Sequence, residues 1–146
     1  LPLPTRAVVV ATPTFTPTAV PAFATAGLWM NARTFSAGEP MVLYYSLTTN
    51  AAQGMLADVY IALAGPRGLR WYVGNNAFSD RVVPMVRGMR VSPGSVWGTA
   101  VWMRPDKTWA AGRSEWRGGL CARGADPWDA DGRLSNVART GFVFAK

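Results

Sequence analysis

The chain contains no histidine, and it has a single cysteine among its 146 residues. Without histidine, Ser-His-Asp and Cys-His catalysis and histidine-based metal sites are excluded. Cys121 has no partner for an intrachain disulfide, so a buried small hydrophobe is its expected role, and a cross-link to a second chain is the alternative. We therefore expect a protein that is not an enzyme and that needs no cofactor.

Glutamate is nearly absent as well, since Glu39 and Glu115 are the only two and both lie in apparent turns. A glycosidase needs two carboxylates held across a cleft, and nothing in the sequence predicts such a pair. No Gly-rich phosphate loop or nucleophile elbow is present. The acidic turn Asp126, Asp129 and Asp131 is a weak calcium candidate, but it lacks EF-hand spacing, and a solvated turn is the simpler interpretation.

Long apolar runs are missing too. A transmembrane helix needs about 20 consecutive apolar residues, whereas the longest runs here, such as Val8–Ala11 and Met41–Tyr45, have the length of a strand. We therefore expect no transmembrane segment. The sequence starts at Leu1 rather than Met, which we interpret as the result of signal-peptide removal, so we expect an extracellular or cell-surface protein.

The charge is strongly one-sided, with 15 Lys and Arg against 8 Asp and Glu and a net charge of +7. Such a surface attracts polyanions, for example acidic polysaccharide or envelope components, although solubility and local ion pairs are the simpler interpretation. The one Arg117-Gly118-Gly119 tripeptide is not an RNA-binding repeat. We expect no nucleic-acid partner.

Residues 1–26 form a Thr/Pro-rich arm that differs from the rest of the chain. Its prolines favour an extended, polyproline II-like geometry. Within it, a β-prone run at residues 6–12 contains no proline: Arg6, Ala7, Val8, Val9, Val10, Ala11 and Thr12. The threonines offer hydroxyls for O-glycosylation, at Thr12, Thr14, Thr16 and Thr18.

From residue 27 to 146 the chain consists of short apolar runs separated by turn residues. This spacing predicts an all-β domain, an antiparallel sandwich of seven to eight strands. The turn Gly65-Pro66-Arg67-Gly68 closes a hairpin over residues 55–74, and residues 75–85 and 124–134 are predicted to be irregular. The other expected strands are Gly27–Arg33, Met41–Thr49, Ser95–Met103, Leu120–Arg123 and Asn136–Ala145.

Several of these stretches match a known type of module. The chain resembles the immunoglobulin-like β-sandwich modules of secreted bacterial surface proteins. The matching stretches are Phe35–Leu43, Ala57–Leu63, Gly65–Gly68, Gly124–Pro127 and the later Phe-containing strand. The resemblance covers residues 27–146 and implies a fold and secretion, but it assigns no functional residue. The Cys…Trp…Cys hallmark of antibody domains is missing. The arm resembles the Thr/Pro tethers of bacterial envelope proteins.

Tryptophan is abundant, with seven residues spread along the chain. We expect Trp71 and at least one of Trp97 and Trp102 to lie in the core. The candidates for a glycan-binding or interface surface come from turn-rich sequence and from neighbouring arginines: Trp109, Trp116, Trp128, Arg113 and Arg117.

These features favour a non-catalytic extracellular structural protein, a subunit of a surface filament or envelope assembly. In this interpretation the run at residues 6–12 donates a strand to a neighbouring copy, and head-to-tail addition of this kind produces fibres. The first alternative is a carbohydrate-binding or adhesion module that uses exposed Trp and Arg. The second is an accessory subunit of a larger envelope complex.

Overall fold

The computed structural model describes residues 24–49 and 55–146, so the predicted strand-donating run and the four candidate glycosylation sites lie outside the described residues. The described residues form ten strands and one short 3₁₀ turn at Ala130–Gly132. The strands are β1 Ala24–Met30, β2 Thr34–Ser36, β3 Met41–Thr49, β4 Met55–Gly65, β5 Gly68–Gly74, β6 Ala77–Ser79, β7 Val86–Val91, β8 Gly94–Met103, β9 Gly112–Ala122 and β10 Ala138–Ala145.

The strands form two sheets. A small sheet has the order β1-β3-β8, and a large sheet has the order β2-β10-β9-β4-β5-β6, with β7 also paired to β4. The predicted all-β sandwich is confirmed. The prediction of seven to eight antiparallel strands needs two corrections, because the described residues form ten strands and β2 runs parallel to β10.

The main core lies between the two sheets and follows the period-two alternation of the strands. The small sheet contributes Met41 and Leu43 from β3 and Val101 and Met103 from β8. The large sheet contributes all the buried aromatic side chains of this cluster and two aliphatic ones: Phe35, Ile61, Leu63, Tyr72, Trp116, Phe142 and Phe144. The alternation predicted for β3, β4 and β10 is therefore the one that builds the core.

Strand β9 is the largest departure from the predicted elements, because only Leu120–Arg123 was expected to be extended. Its inward positions are Trp116, Gly118 and Leu120. A Cβ atom on Gly118 would lie 2.7 Å from Cδ1 of Ile61. Because Ile61 occupies the space that a side chain at position 118 would fill, the hydrophobic alternation of β9 is interrupted at its centre.

The segment at residues 75–85, predicted to be irregular, begins with a tight hairpin. Asn75 and Asn76 have positive φ angles of 51° and 59°, which a type I′ turn requires at both central positions. Asparagine tolerates this region better than other side chains. The turn therefore adds β6 to the edge of the large sheet.

Asp58 is a buried carboxylate on β4 that joins this strand to β7 and to the turn after β9. Its Oδ1 accepts a hydrogen bond from the backbone N–H of Gly88 and its Oδ2 accepts one from that of Gly124, each at 2.9 Å. Burial raises the pKa of Asp58, but the hydrogen bonds from Gly124 and Gly88, aided by Arg87 and Arg123, outweigh it and lower the pKa below 3.8. The ionised form therefore stabilises the fold.

Trp116 is fully buried, and its indole Nε1 has no hydrogen-bond partner in the described part of the chain. We expect Trp116→Ala to lower the free energy of unfolding by about 3–5 kcal/mol because it empties a large site. Trp116→Phe keeps an aromatic ring and removes the unpaired donor, so its cost should be much smaller. Urea unfolding measures both, and equal losses for the two variants would contradict this account.

Asp58→Asn should lower the free energy of unfolding by about 1–3 kcal/mol at neutral pH, because the amide nitrogen cannot accept an N–H, so one of the two hydrogen bonds is lost and the other loses its charge. The folded-state pKa lies below the unfolded value, so the contribution of Asp58 is present above pH 3.8 and is lost as the pH falls through the folded pKa. The difference in stability between the two proteins should therefore shrink on acidification. A difference that stays constant down to low pH would exclude this role of the carboxylate.

Candidate functional site

The outward side of the small sheet carries a group of large aromatic side chains, which we call the aromatic face: Trp29, Tyr44, Trp97 and Trp102. Trp97 is 72% exposed, Trp102 is 52% exposed and Trp29 is 41% exposed. These are unusually high values for tryptophan, which normally buries most of its surface. The expectation that Trp97 or Trp102 lies in the core is wrong.

A β-bulge explains why both tryptophans of β8 face outward. Trp102 is five positions after Trp97, so a regular strand would direct the two side chains to opposite faces. The pairing of β8 with β3 shifts between Leu43 and Tyr44, which pair with Val101 and Thr99, and this leaves Ala100 as an extra residue. Because of this extra residue, both tryptophans point to the same face of the sheet. Trp102 lies opposite Val42, and Trp97 lies opposite Ser46.

The aromatic face has a defined geometry. Trp29 pairs with Tyr44 across β1 and β3, and their rings stack at 5.7 Å with an angle of 23°. Successive outward positions of β3 are about 7 Å apart along the strand. Trp102 lies opposite the first of them, Val42, and Trp97 lies opposite the third, Ser46. The Trp29–Tyr44 stack lies at the position between them. Trp97 and Trp102 both lie on β8, and the Trp29–Tyr44 stack lies beside them on β1 and β3, so the rings form a triangular cluster.

Polar groups border this cluster. The guanidinium of Arg104 lies 5.4 Å from the ring centre of Trp102, within cation–π range. The hydroxyls of Thr48 and Ser95 lie 3.1 Å apart on the same side of the sheet, and Thr99 is exposed beside them. The surface thus combines flat apolar rings with hydroxyl donors and acceptors.

The outward side of the large sheet carries a second surface, which we call the Arg–Trp groove: Trp71, Trp128, Arg117, Arg133 and Arg139. It encloses a cavity of about 110 Å³, and every charged residue that lines it is an arginine. The rings of Trp71 and Trp128 meet edge to face at 5.6 Å. Trp71 is buried, as expected, but under this groove rather than between the sheets.

Two of the three arginines are partly neutralised. Nε of Arg117 donates to Oε1 of Glu115 at 2.7 Å, and Nη1 of Arg139 reaches the same oxygen at 3.3 Å. The hydrogen bond from Arg117 and the two positive charges lower the pKa of Glu115. Nε of Arg133 donates to the carbonyl oxygen of Pro127 at 3.1 Å, which holds the loop against the sheet.

The structure brings together only part of the predicted glycan or interface set. Trp128 and Arg117 share the Arg–Trp groove, whereas Arg113 lines a separate depression. Trp116 is in the core, which corrects its prediction as an interface residue, because it lies on an inward position of β9 that the glycines concealed. Trp109 is half-buried and packs on Phe78 and Phe144.

The weak calcium candidate is not assembled. Oδ1 of Asp126 accepts the N–H of Trp128 at 2.9 Å, and Oδ1 of Asp129 accepts the N–H of Asp131 at 3.0 Å, so both side chains stabilise local turns. Within residues 24–49 and 55–146, no group of three or more His, Cys, Asp or Glu side chains is placed to hold a metal ion.

Comparison with solved structures identifies the fold. The alkylpurine DNA glycosylase AlkC of Pseudomonas fluorescens, solved with DNA containing an abasic-site analogue, matches with a TM-score of 0.53 and 15% identity over 87% of this chain and 32% of that one. A CARDB domain from Pyrococcus furiosus, solved with di-metal ions, matches with a TM-score of 0.52 and 9% identity over 84% of this chain and 87% of that one.

The fold is an immunoglobulin-like β-sandwich. At these identities the likeness shows the fold alone, and this chain spans only 32% of the length of the glycosylase. No protein-family model and no curated protein sequence matches the chain. In the described residues, no helix is long and apolar enough to cross a membrane.

Cys121 is buried beneath the Arg–Trp groove, beside Tyr60 and Trp71, and burial raises the pKa of its thiol. A protonated, enclosed thiol is a poor nucleophile. We expect Cys121 in the native protein to react with a disulfide reagent at least about a hundredfold more slowly than in urea, because reaction requires local opening. Rapid labelling of the native protein would contradict this burial and would support the cross-linking alternative.

Proposed function

We propose that this chain is an extracellular, non-catalytic module that binds glycans through the aromatic face. The observation that carries the proposal is the cluster of Trp29, Trp97 and Trp102 on one exposed side of the small sheet. An exposed apolar patch of this kind usually marks a binding surface. Its flat rings suit the apolar faces of sugar rings, which stack on aromatic side chains.

The surroundings of the aromatic face favour a sugar over a purely apolar partner. Hydroxyl groups of Thr48, Ser95 and Thr99 border the rings and match the hydrogen-bonding groups of a saccharide. The net charge of +7 adds a long-range attraction for acidic polysaccharides. The Thr/Pro-rich arm suits a tether that presents such a module at a cell surface.

The test is titration of the full chain with polygalacturonate, a neutral xylan and a DNA duplex, followed by intrinsic fluorescence and calorimetry. A bound glycan should quench the exposed tryptophans. Trp97→Ala and Trp102→Ala should each weaken binding about tenfold or more, since central aromatic contacts dominate such surfaces. Added salt should weaken binding of polygalacturonate more than binding of xylan.

Trp128→Ala is the matched control, because Trp128 is 57% exposed but lies on the opposite side of the sandwich. It should leave glycan affinity unchanged. If Trp128→Ala weakens binding and Trp97→Ala does not, the Arg–Trp groove is the glycan site and the aromatic face is not. If neither polysaccharide binds, or if DNA binds more tightly than both, the glycan proposal is wrong.

A further inference from the structure

The sheet edges of this domain differ in how well they are protected against pairing with another chain. The free side of β1 is closed, because the backbone N–H of Ala26 donates to Oδ1 of Asn136 at 2.7 Å and Nδ2 of Asn136 donates to the carbonyl oxygen of Ala26 at 3.0 Å. Strands β2 and β6 have only three residues each. Strand β7 carries the exposed charges of Arg87 and Arg90.

Strand β8 has none of these protections. It has ten residues with no charged side chain, and it is the end strand of the small sheet among the described residues. Val96 is 49% exposed and Trp97 is 72% exposed at this edge. A long, uncharged, apolar edge is a template for pairing, which native proteins usually block or occupy.

The bulge at Ala100 limits the regular part of this edge to Gly94–Thr99. The β-prone run at residues 6–12 has seven residues, one more than this stretch, and it is rich in valine and contains no proline. We propose that the edge of β8 binds residues 6–12 of a second copy of this chain as an added strand. Main-chain hydrogen bonds would provide the affinity and the valine side chains the specificity.

The spacer between this run and the domain favours a second copy over the chain's own edge. Ala24 and Gly94 lie at the same end of the small sheet, since both pair with Thr49. Reaching the chain's own free edge therefore needs only three strand spacings, about 14 Å. Residues 13–23 contain Pro13, Pro17 and Pro21, a composition that favours polyproline II geometry, in which a segment of this length would span about 34 Å.

The experiment compares the full chain with two variants by sedimentation velocity. Val9→Pro removes a backbone donor from the run, and Val96→Lys places a charge on the β8 edge; each should weaken self-association at least about tenfold. The matched controls are Thr14→Pro in the spacer and Val86→Lys on β7, which should associate like the unmodified chain. Circular dichroism verifies that every variant is folded.

Mixing gives the decisive result. The Val9→Pro copy retains an intact edge and the Val96→Lys copy retains an intact run, so an equimolar mixture should form a one-to-one complex although each variant alone is monomeric. A mixture that stays monomeric, or an unmodified chain that is monomeric at all concentrations, would overturn the proposal. Because Val9 lies outside the aromatic face, Val9→Pro should keep its glycan affinity, which separates this proposal from the proposed function.

Discussion

The two sheets are held together by aromatic rings that come almost entirely from the large sheet. Trp116 lies at the centre and contacts Tyr72, Phe78 and Phe142, with ring centres 6.1–6.5 Å apart. The small sheet faces these rings with aliphatic and methionine side chains only. Because one sheet fills the interior, the other has no inward space for its own tryptophans, and they lie on the outside.

This division gives the two outer surfaces different chemistry. The aromatic face presents rings and hydroxyls, with a single guanidinium at its border. The Arg–Trp groove on the opposite side presents arginines over a buried thiol and two packed indoles. One domain therefore offers a largely uncharged surface and a cationic one on opposite sides.

The sequence predicted the fold well wherever side chains alternate regularly. Met41 and Leu43 in β3, and Phe142 and Phe144 in β10, take the inward positions expected of them. Prediction was wrong where the alternation is broken. In β9 the side chain of Ile61 fills the space beside Gly118, so the strand has no apolar residue at that inward position. The missing apolar residue hid both the strand and the burial of Trp116 from the sequence pattern. The pairing of distant strands and a register shift between them have no local signal, so the aromatic face was not predicted.

The bulge at Ala100 makes the aromatic face depend on the length of a strand as much as on its composition. Loss of one codon between Trp97 and Trp102 would turn one of the two indoles towards the interior. The aromatic face would then be lost, although every aromatic residue would remain. Such a surface can arise or vanish among related chains in a single genetic step. Aligned tryptophans alone would then be a misleading guide to a shared aromatic surface among sandwiches of this fold.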